Sequence, residues 1–191
     1  MFLNNGILKK LMKQAYKEGL AVAQTDERIY IAGGYWEMDV RREFLPKQIL
    51  AQIIELAGEL PEVGKRFTAT KNGNQFETEM RMSVDTDGFD FGVEVTKVFL
   101  SGKYSVAQRI LQDVENGRIY LVNNVFVAVA DNAALDGEKG EHMVAEPMYH
   151  PERGILWANN VGRFHALWST DENHQRLLNA LEQIDLTEDV V

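Results

Sequence analysis

Histidine is the residue type best suited to acid–base work or metal ligation near neutral pH, and His142, His150, His165 and His174 all fall in the last third of the chain. His142 with Glu146, and His150 with Glu152, offer the nitrogen and oxygen donors that zinc or a related metal takes. No two histidines stand four residues apart as in a helical zinc protease, and Pro151 follows His150 directly. The acidic run SVDTDGFDFG carries Asp85, Asp87 and Asp90 around Gly88. Counted from Asp85, its glycine is fourth rather than sixth and its twelfth residue is Thr96 rather than glutamate, so it reads as an Asp-rich turn between strands and not as a calcium loop. His142, His150 and Asp85 therefore stand as weak metal candidates, and no cofactor is expected.

Other chemistries find less support. Cysteine is absent, which excludes disulfides, thiolate metal sites and cysteine nucleophiles. Ser101 and Ser105 suit helix starts and lack the Gly-x-Ser-x-Gly setting that exposes a nucleophile. Ala32-Gly33-Gly34 is followed by Tyr35 and Trp36 rather than by a phosphate-binding helix start. Tyr30, Tyr35, Trp36 and Trp157, with His165, remain as residues for a ligand or partner surface, against their commoner role in a core or half-buried sheet face.

The elements that must position these residues follow from periodicity and turn chemistry. Helical spacing predicts a helix from near Asn5 to Gly19 (Ile7, Leu8, Leu11, Met12, Ala15), a second from Pro46 to Gly58 (Ile49, Leu50, Ile53, Leu56), a third over about Tyr104 to Asn116 (Val106, Ile110, Leu111, Val114), and a fourth after Ser169 or Thr170 (Leu177, Leu178, Leu181, Ile184). KRFTATKNGNQFETE predicts a half-exposed hairpin turning at Asn72-Gly73. RIYIAGGYWEMD predicts one turning at Gly33-Gly34, with Ile29, Ile31, Trp36 and Met38 on an apolar face and Arg28, Tyr30, Glu37 and Asp39 on a mixed one. RIYLVNNVFVAV predicts a hairpin at Asn123-Asn124, apolar on both faces and central in its sheet. ILWANNVGRFHALW reads as a hairpin at Asn159-Asn160, with one continuous strand as the competing form. Further strands are expected at Leu20 to Gln24, Phe91 to Phe99 and around His142 to Tyr149, and the polar run Asp131 to Glu141 reads as a loop or linker.

The resulting order predicts an α+β fold: antiparallel sheets built from two-residue-turn hairpins, with about four amphipathic helices on their faces. The chain length suits a single α+β domain over 1–191, and the repeated RIY leaves room for a two-lobe pseudo-duplication with halves of about 1–100 and 101–191.

A net charge of −9 opposes sequence-independent nucleic-acid binding, which relies on neutralising phosphates with Lys and Arg. The N-terminus lacks a signal-peptide core and no run approaches a membrane span, so a soluble cytoplasmic protein is the expectation. Without a catalytic constellation, the sequence points to a non-enzymatic interaction module for a protein or peptide, with self-association compatible with it. The alternative is a small-molecule or metal-dependent binding protein or hydrolase with its pocket near the 131–153 loop.

Overall fold

The computed structural model describes residues 2–76, 81–101, 106–130, 145–170 and 174–187. Its first helix, α1 (Asn5–Ala15), begins at Asn4, whose side chain accepts hydrogen bonds from the Gly6 and Ile7 amides, and it buries Leu8, Leu11, Met12 and Ala15. Strands β1 (Leu20–Gln24), β2 (Arg28–Ala32) and β3 (Trp36–Arg41) follow, then a short 3-10 turn (Arg42–Phe44) and α2 (Lys47–Ala57). Gly58 closes α2 in the left-handed region at φ 81°, as a helix-ending glycine does. After β4 (Lys65–Thr70) and β5 (Gly73–Phe76) come β6 (Val93–Ser101), β7 (Ala107–Asp113), β8 (Ile119–Asn123), α3 (Asn124–Val129), β9 (Glu146–His150), β10 (Gly154–Ala158), β11 (Gly162–Ala166) and α4 (Gln175–Leu181). The fold is α+β. An eight-stranded antiparallel sheet runs β5-β4-β1-β2-β3-β11-β10-β9, and a three-stranded sheet runs β6-β7-β8.

Three of the expected hairpins form, each with its turn one residue from the expected place. In β2–β3 the turn is Gly34-Tyr35, because Gly33 pairs with Trp36 (Gly33 N–H to Trp36 O, 2.9 Å) and the indole packs over it. A Cβ on Gly33 would lie 2.6 Å from Trp36 Nε1, so the glycine serves close packing beside the turn. In β10–β11 the Asn159 side chain accepts from the Val161 and Gly162 amides, which places the turn at Asn160-Val161. In β4–β5 the turn is Lys71-Asn72, with Gly73 just beyond it at φ 109°. Sliding a two-residue turn by one position moves every cross-strand partner by two. Side chains alternate with period two, so each residue keeps its expected face while changing its partner. Trp157 accordingly meets Phe164 at 6.0 Å rather than Gly162.

Two expectations fail. The segment read as a helix over about Tyr104 to Asn116 is strand β7, centre of the small sheet, and residues 102–105 lie outside the described ones. Adjacent Ile110 and Leu111, read as a helix seam, point to opposite faces: Ile110 joins Leu100, Leu121 and Leu178, whereas Leu111 enters the main core. An apolar pair covered from both sides fits a strand as well as a helix. RIYLVNNVFVAV is not a hairpin. Asn123 caps α3 by accepting from the Val125 amide at 3.1 Å, and the Val129 carbonyl at the far end accepts from Asn4 N–H at 2.7 Å. Asparagine suits both tight turns and helix N-caps, so Asn-Asn did not discriminate between them. Strand β8 is covered on both faces as expected, but it is an edge strand.

The main core lies between one face of the large sheet and a layer formed by α1, α2, α3 and the small sheet. The opposite, outer face of the large sheet is partly roofed by residues 81–92, which bring Met82, Val84 and Phe89 against Tyr30 and Leu156. Helix α4 covers the outer face of the small sheet through Leu178, and starts later than expected; residues 171–173 lie outside the described ones, as do 131–144 with the expected loop and His142. Among the described residues no helix is long and apolar enough to cross a membrane.

Candidate functional site

Two concavities concentrate the chemistry-bearing residues. The first lies on the outer sheet face, where strand register lays out two rows of side chains. One row reads Thr68, Ala21, Ala32, Glu37, His165, Leu156 and Met148, and the other Arg66, Ala23, Tyr30, Asp39, Arg163, Ala158 and Glu146. The alanines of β1 and β2, with Gly19 and Gly33, leave a bowl of about 330 Å³ whose wall includes Tyr30, Tyr35, Trp36, Glu37, Arg81 and His165. Four residues singled out from sequence thus meet at one place. Tyr35 stands 68% exposed at the turn tip, whereas Tyr30 and Trp36 are buried.

Beneath this bowl runs a buried polar network. The Tyr30 hydroxyl donates to Glu37 Oε2 at 2.6 Å, while His165 Nδ1 and Arg81 each lie 3.1 Å from Glu37 Oε1. His165 Nε2 lies 3.1 Å from the Arg153 carbonyl. Each ring nitrogen of His165 thus faces an acceptor of the wall, a carboxylate on one side and a main-chain carbonyl on the other. Neither ring nitrogen faces a hydroxyl nucleophile, so Glu37 and His165 resemble the carboxylate and imidazole of a catalytic triad without its third member. Alongside, Asp39, with no exposed surface, takes Arg28 Nε at 2.7 Å, the Val84 amide at 2.8 Å and Arg163 at 3.6 Å. Arg153 meets Asp85 at 3.0 Å and donates to the Asp87 carbonyl at 2.7 Å, so the 81–92 segment is fastened to the sheet by charged contacts at both sides.

Burial pushes the Glu37 carboxyl up, but the hydrogen bonds from His165 and Tyr30 and the Arg81 charge outweigh it and hold the group below its ordinary value of 4.5. Burial, then the bond to Glu37, raises the Tyr30 phenol, which stays a donor at neutral pH. A depressed folded-state value means that the unfolded chain binds the proton more tightly, so stability rises with pH across this interval. Glu37 therefore contributes above pH 4.5, and the contribution disappears as pH falls through its depressed value. Urea titrations of wild type and Glu37→Gln should show a shallower acid-side slope in the variant; equal slopes would place the acid sensitivity elsewhere.

The second concavity is a cleft of about 590 Å³ between β6 and β9. The two chains begin as a ladder: Asp90 and Tyr149 exchange main-chain hydrogen bonds of 2.9 and 2.8 Å. At Gly92, φ 116°, the chain leaves β9 and joins β7 instead, the Gly92 carbonyl accepting from Val114 N–H at 2.9 Å. Past that pivot the strands splay. Alternation turns the main-chain groups of Val93 and Val95 away from β7 and toward the cleft, and on β9 the residue in the outward-facing position is Pro147, which has no N–H. Val93, Val127, Ala130 and Trp157 supply apolar lining, and Glu94 and Glu146 stand exposed on opposite walls.

The closed end of the cleft is firmly tied. The Tyr149 hydroxyl donates to Asp113 Oδ2 at 2.5 Å, its ring stands 5.4 Å from that of Tyr120, and Trp168 stacks on Tyr120 at 4.7 Å. Burial raises the Asp113 carboxyl, but the Tyr149 bond and the Glu115 and Asn116 amides outweigh it and leave it below its ordinary value.

The remaining candidates do not converge. Asp85 lies in a turn, accepting from the Asp87 amide at 3.0 Å, and its carboxylate faces Arg153. His150 accepts from the Glu152 amide through Nδ1 and packs beside Phe89, 5.8 Å between rings. His142 lies outside the described residues, among which no three His, Cys, Asp or Glu side chains are grouped to hold a metal ion. Trp157 lines the cleft rather than the bowl, while Asp85, His150 and His165 do not line the cleft; of the 131–153 stretch expected to hold a pocket, residues 131–144 lie outside the described ones, and Ala145, Glu146 and Pro147 line the cleft. Sequence reasoning put Glu37 and Asp39 on the mixed outer face of a hairpin but missed their burial. It missed Arg81 and Arg163 altogether, because which strand lies beside β3, and what roofs it, has no local signature.

No protein-family profile matches the chain, and no curated protein matches it. Among solved structures it is similar to the beta chain of DNA polymerase III from Streptococcus pneumoniae TIGR4 (6% identity, TM-score 0.37) and to the DNA polymerase beta subunit of Streptococcus pyogenes (9% identity, TM-score 0.37). Each match covers 92% of this chain and 66% of the other, so the chain spans less than two thirds of those proteins' length. At this TM-score neither fold nor function is carried over from them.

Proposed function

We propose that the protein is a non-enzymatic interaction module that receives an extended segment of a protein partner in the cleft between β6 and β9. The observation that supports this reading is the broken ladder: pairing begins at Asp90 and Tyr149, ends at Gly92, and turns the main-chain groups of Val93 and Val95 toward an apolar-lined slot. An extended peptide added to such an edge gains main-chain hydrogen bonds, with alternate side chains entering the lining. Each well-buried apolar side chain contributes roughly 1.5–3 kcal/mol, and because association costs at least about 4 kcal/mol, micromolar affinity requires several of them together with the main-chain hydrogen bonds.

Selection of a displayed random peptide library on the immobilised protein, repeated with Val95→Pro, tests this. Proline there removes an N–H that faces the cleft and leaves the β6–β7 ladder intact. Selected peptides should bind wild type at micromolar Kd and the variant at least tenfold more weakly, with unfolding temperatures close together. Peptides that bind both proteins equally, or no selectable peptide, would defeat the reading.

A small-molecule reading has one observation in its favour, the meeting of Tyr30, Tyr35, Trp36 and His165 around the 330 Å³ bowl. It is the weaker of the two, because His165 spends both ring nitrogens inside the wall.

A further inference from the structure

We infer that the bowl on the outer sheet face is a binding site for a small aromatic carboxylate, whose charge meets Arg81 and whose ring lies on a floor of alanines. The bowl shares no lining residue with the cleft between β6 and β9, so the inference stands apart from the peptide reading. Strand register lays out the floor: Thr68 pairs with Ala21, Ala21 with Ala32, and Ala32 with Glu37. Two methyl side chains thus separate Thr68 from Glu37 across three strand spacings, a gap of roughly 14 Å between their Cα positions. Alanine is depleted in strands, and two adjoining ones give up packing that larger side chains would supply there. The volume they leave, about 330 Å³, lies at the small end of ligand pockets and suits one or two rings.

The wall selects the sign of the ligand. Its charged side chains are Arg66, Arg81 and Glu37, with His165 beside them, so guanidinium groups outnumber carboxylates here in a chain of net charge −9. Glu37 is turned inward: Oε2 takes the Tyr30 hydroxyl, Oε1 faces His165 and Arg81, and its side chain is 10% exposed. Arg81 is its opposite, with a side chain 53% exposed. Among the described residues that side chain bonds through Nη1 alone, which leaves Nε and Nη2 to donate to a carboxylate in the planar fork that such a group fits. Arg66 Nη1 donates to the Arg81 carbonyl at 3.3 Å and so sets a second positive charge close to the first. Tyr30, Tyr35 and Trp36 add aromatic surface to the wall. Glu37 and His165 are spent on each other and on the wall, so a ligand meets no available acid or base, and the site holds its ligand rather than converting it.

The test titrates three probes by calorimetry: 2-naphthoate, its neutral counterpart 2-naphthamide, and inorganic phosphate, an anion without a ring. The proteins are wild type, Arg81→Gln and Ala32→Val, the last placing a residue that suits a strand on the floor of the bowl. Wild type should bind naphthoate at least tenfold tighter than either other probe, the scale set by a charge-assisted hydrogen bond. Arg81→Gln should bring naphthoate and naphthamide to within threefold of each other, and Ala32→Val should weaken naphthoate at least tenfold. Amide spectra of nitrogen-15 labelled wild type should show naphthoate shifting Gly33, Gly34, Tyr35 and Thr68. Equal binding of naphthoate and naphthamide to wild type, or naphthoate binding unchanged in Arg81→Gln, would overturn the charge assignment. Phosphate binding as tightly as naphthoate would overturn the aromatic class. No binding of any probe, or shifts confined to amides away from the bowl, would overturn the site itself.

Discussion

Replacing Asp39 with alanine should destabilise the protein by about 3–5 kcal/mol, the usual cost of removing one partner from a buried charge pair. Asp39 has no exposed surface, and its two oxygens serve Arg28, Arg163 and the Val84 amide. Without it, two guanidinium groups face each other across β2, β3 and β11 with no carboxylate between them, and the Val84 N–H loses its acceptor in a buried place. Asp39→Asn keeps an oxygen for Val84 but not the charge, so it should fall between alanine and wild type. Chemical denaturation measures the difference, and the melting temperature should drop by on the order of 10 °C for a chain of this length. Hydrogen exchange supplies a second readout: amides around Val84 should lose protection in Asp39→Ala before the central strands do. A loss below 1 kcal/mol, or unchanged protection at Val84, would show that apolar contacts of Met82, Val84 and Phe89 hold that segment unaided.

Gly154→Ala should cost roughly 2–5 kcal/mol, the sum of a non-glycine residue in a disfavoured backbone region and overpacking against a neighbouring strand. Gly154 sits at φ 129°, and a Cβ there would lie 2.0 Å from the Ala166 carbonyl oxygen, a main-chain atom that cannot swing aside. Relief requires parting the ends of β10 and β11, next to the Ile155–Ala166 pair. Gly34→Ala is the control, since a Cβ at Gly34 meets nothing within 4 Å. Thermal unfolding of both variants should show a large fall for Gly154→Ala and little change for Gly34→Ala. Equal falls would mean that the close approach at Gly154 is relaxed elsewhere at little cost.

Both residues illustrate where sequence reading stops. Asp39 was visible as one end of a charge pair with Arg28, and that pair forms even though the register moved by two, because a residue two positions along a strand remains a same-face, diagonal neighbour. Its burial was not visible, since it depends on β11 lying beside β3 and on residues 81–92 crossing above them. Gly154 was unremarkable in sequence, and only the approach of Ala166 gives it a role. The bowl was partly legible: Tyr30, Tyr35, Trp36 and His165 were named without any indication that they meet. The cleft was less so, as its opening at Gly92 is a change of strand partner.

Local chemistry thus determined three of the four expected hairpins, which face of each is apolar, where α1 begins, where α2 begins and ends, and the net acidity. Those properties depend on period-two or 3.6-residue alternation and on turn and cap residues, all confined to a few neighbours along the chain. Tertiary structure decided the rest: strand order, the exact turn register, the identity of β7 and α3, the burial of Glu37 and Asp39, and the cleft between β6 and β9. These depend on which surfaces cover each segment. An apolar pair such as Ile110-Leu111 or a dipeptide such as Asn123-Asn124 satisfies two local conformations equally, and the packing partner makes the choice.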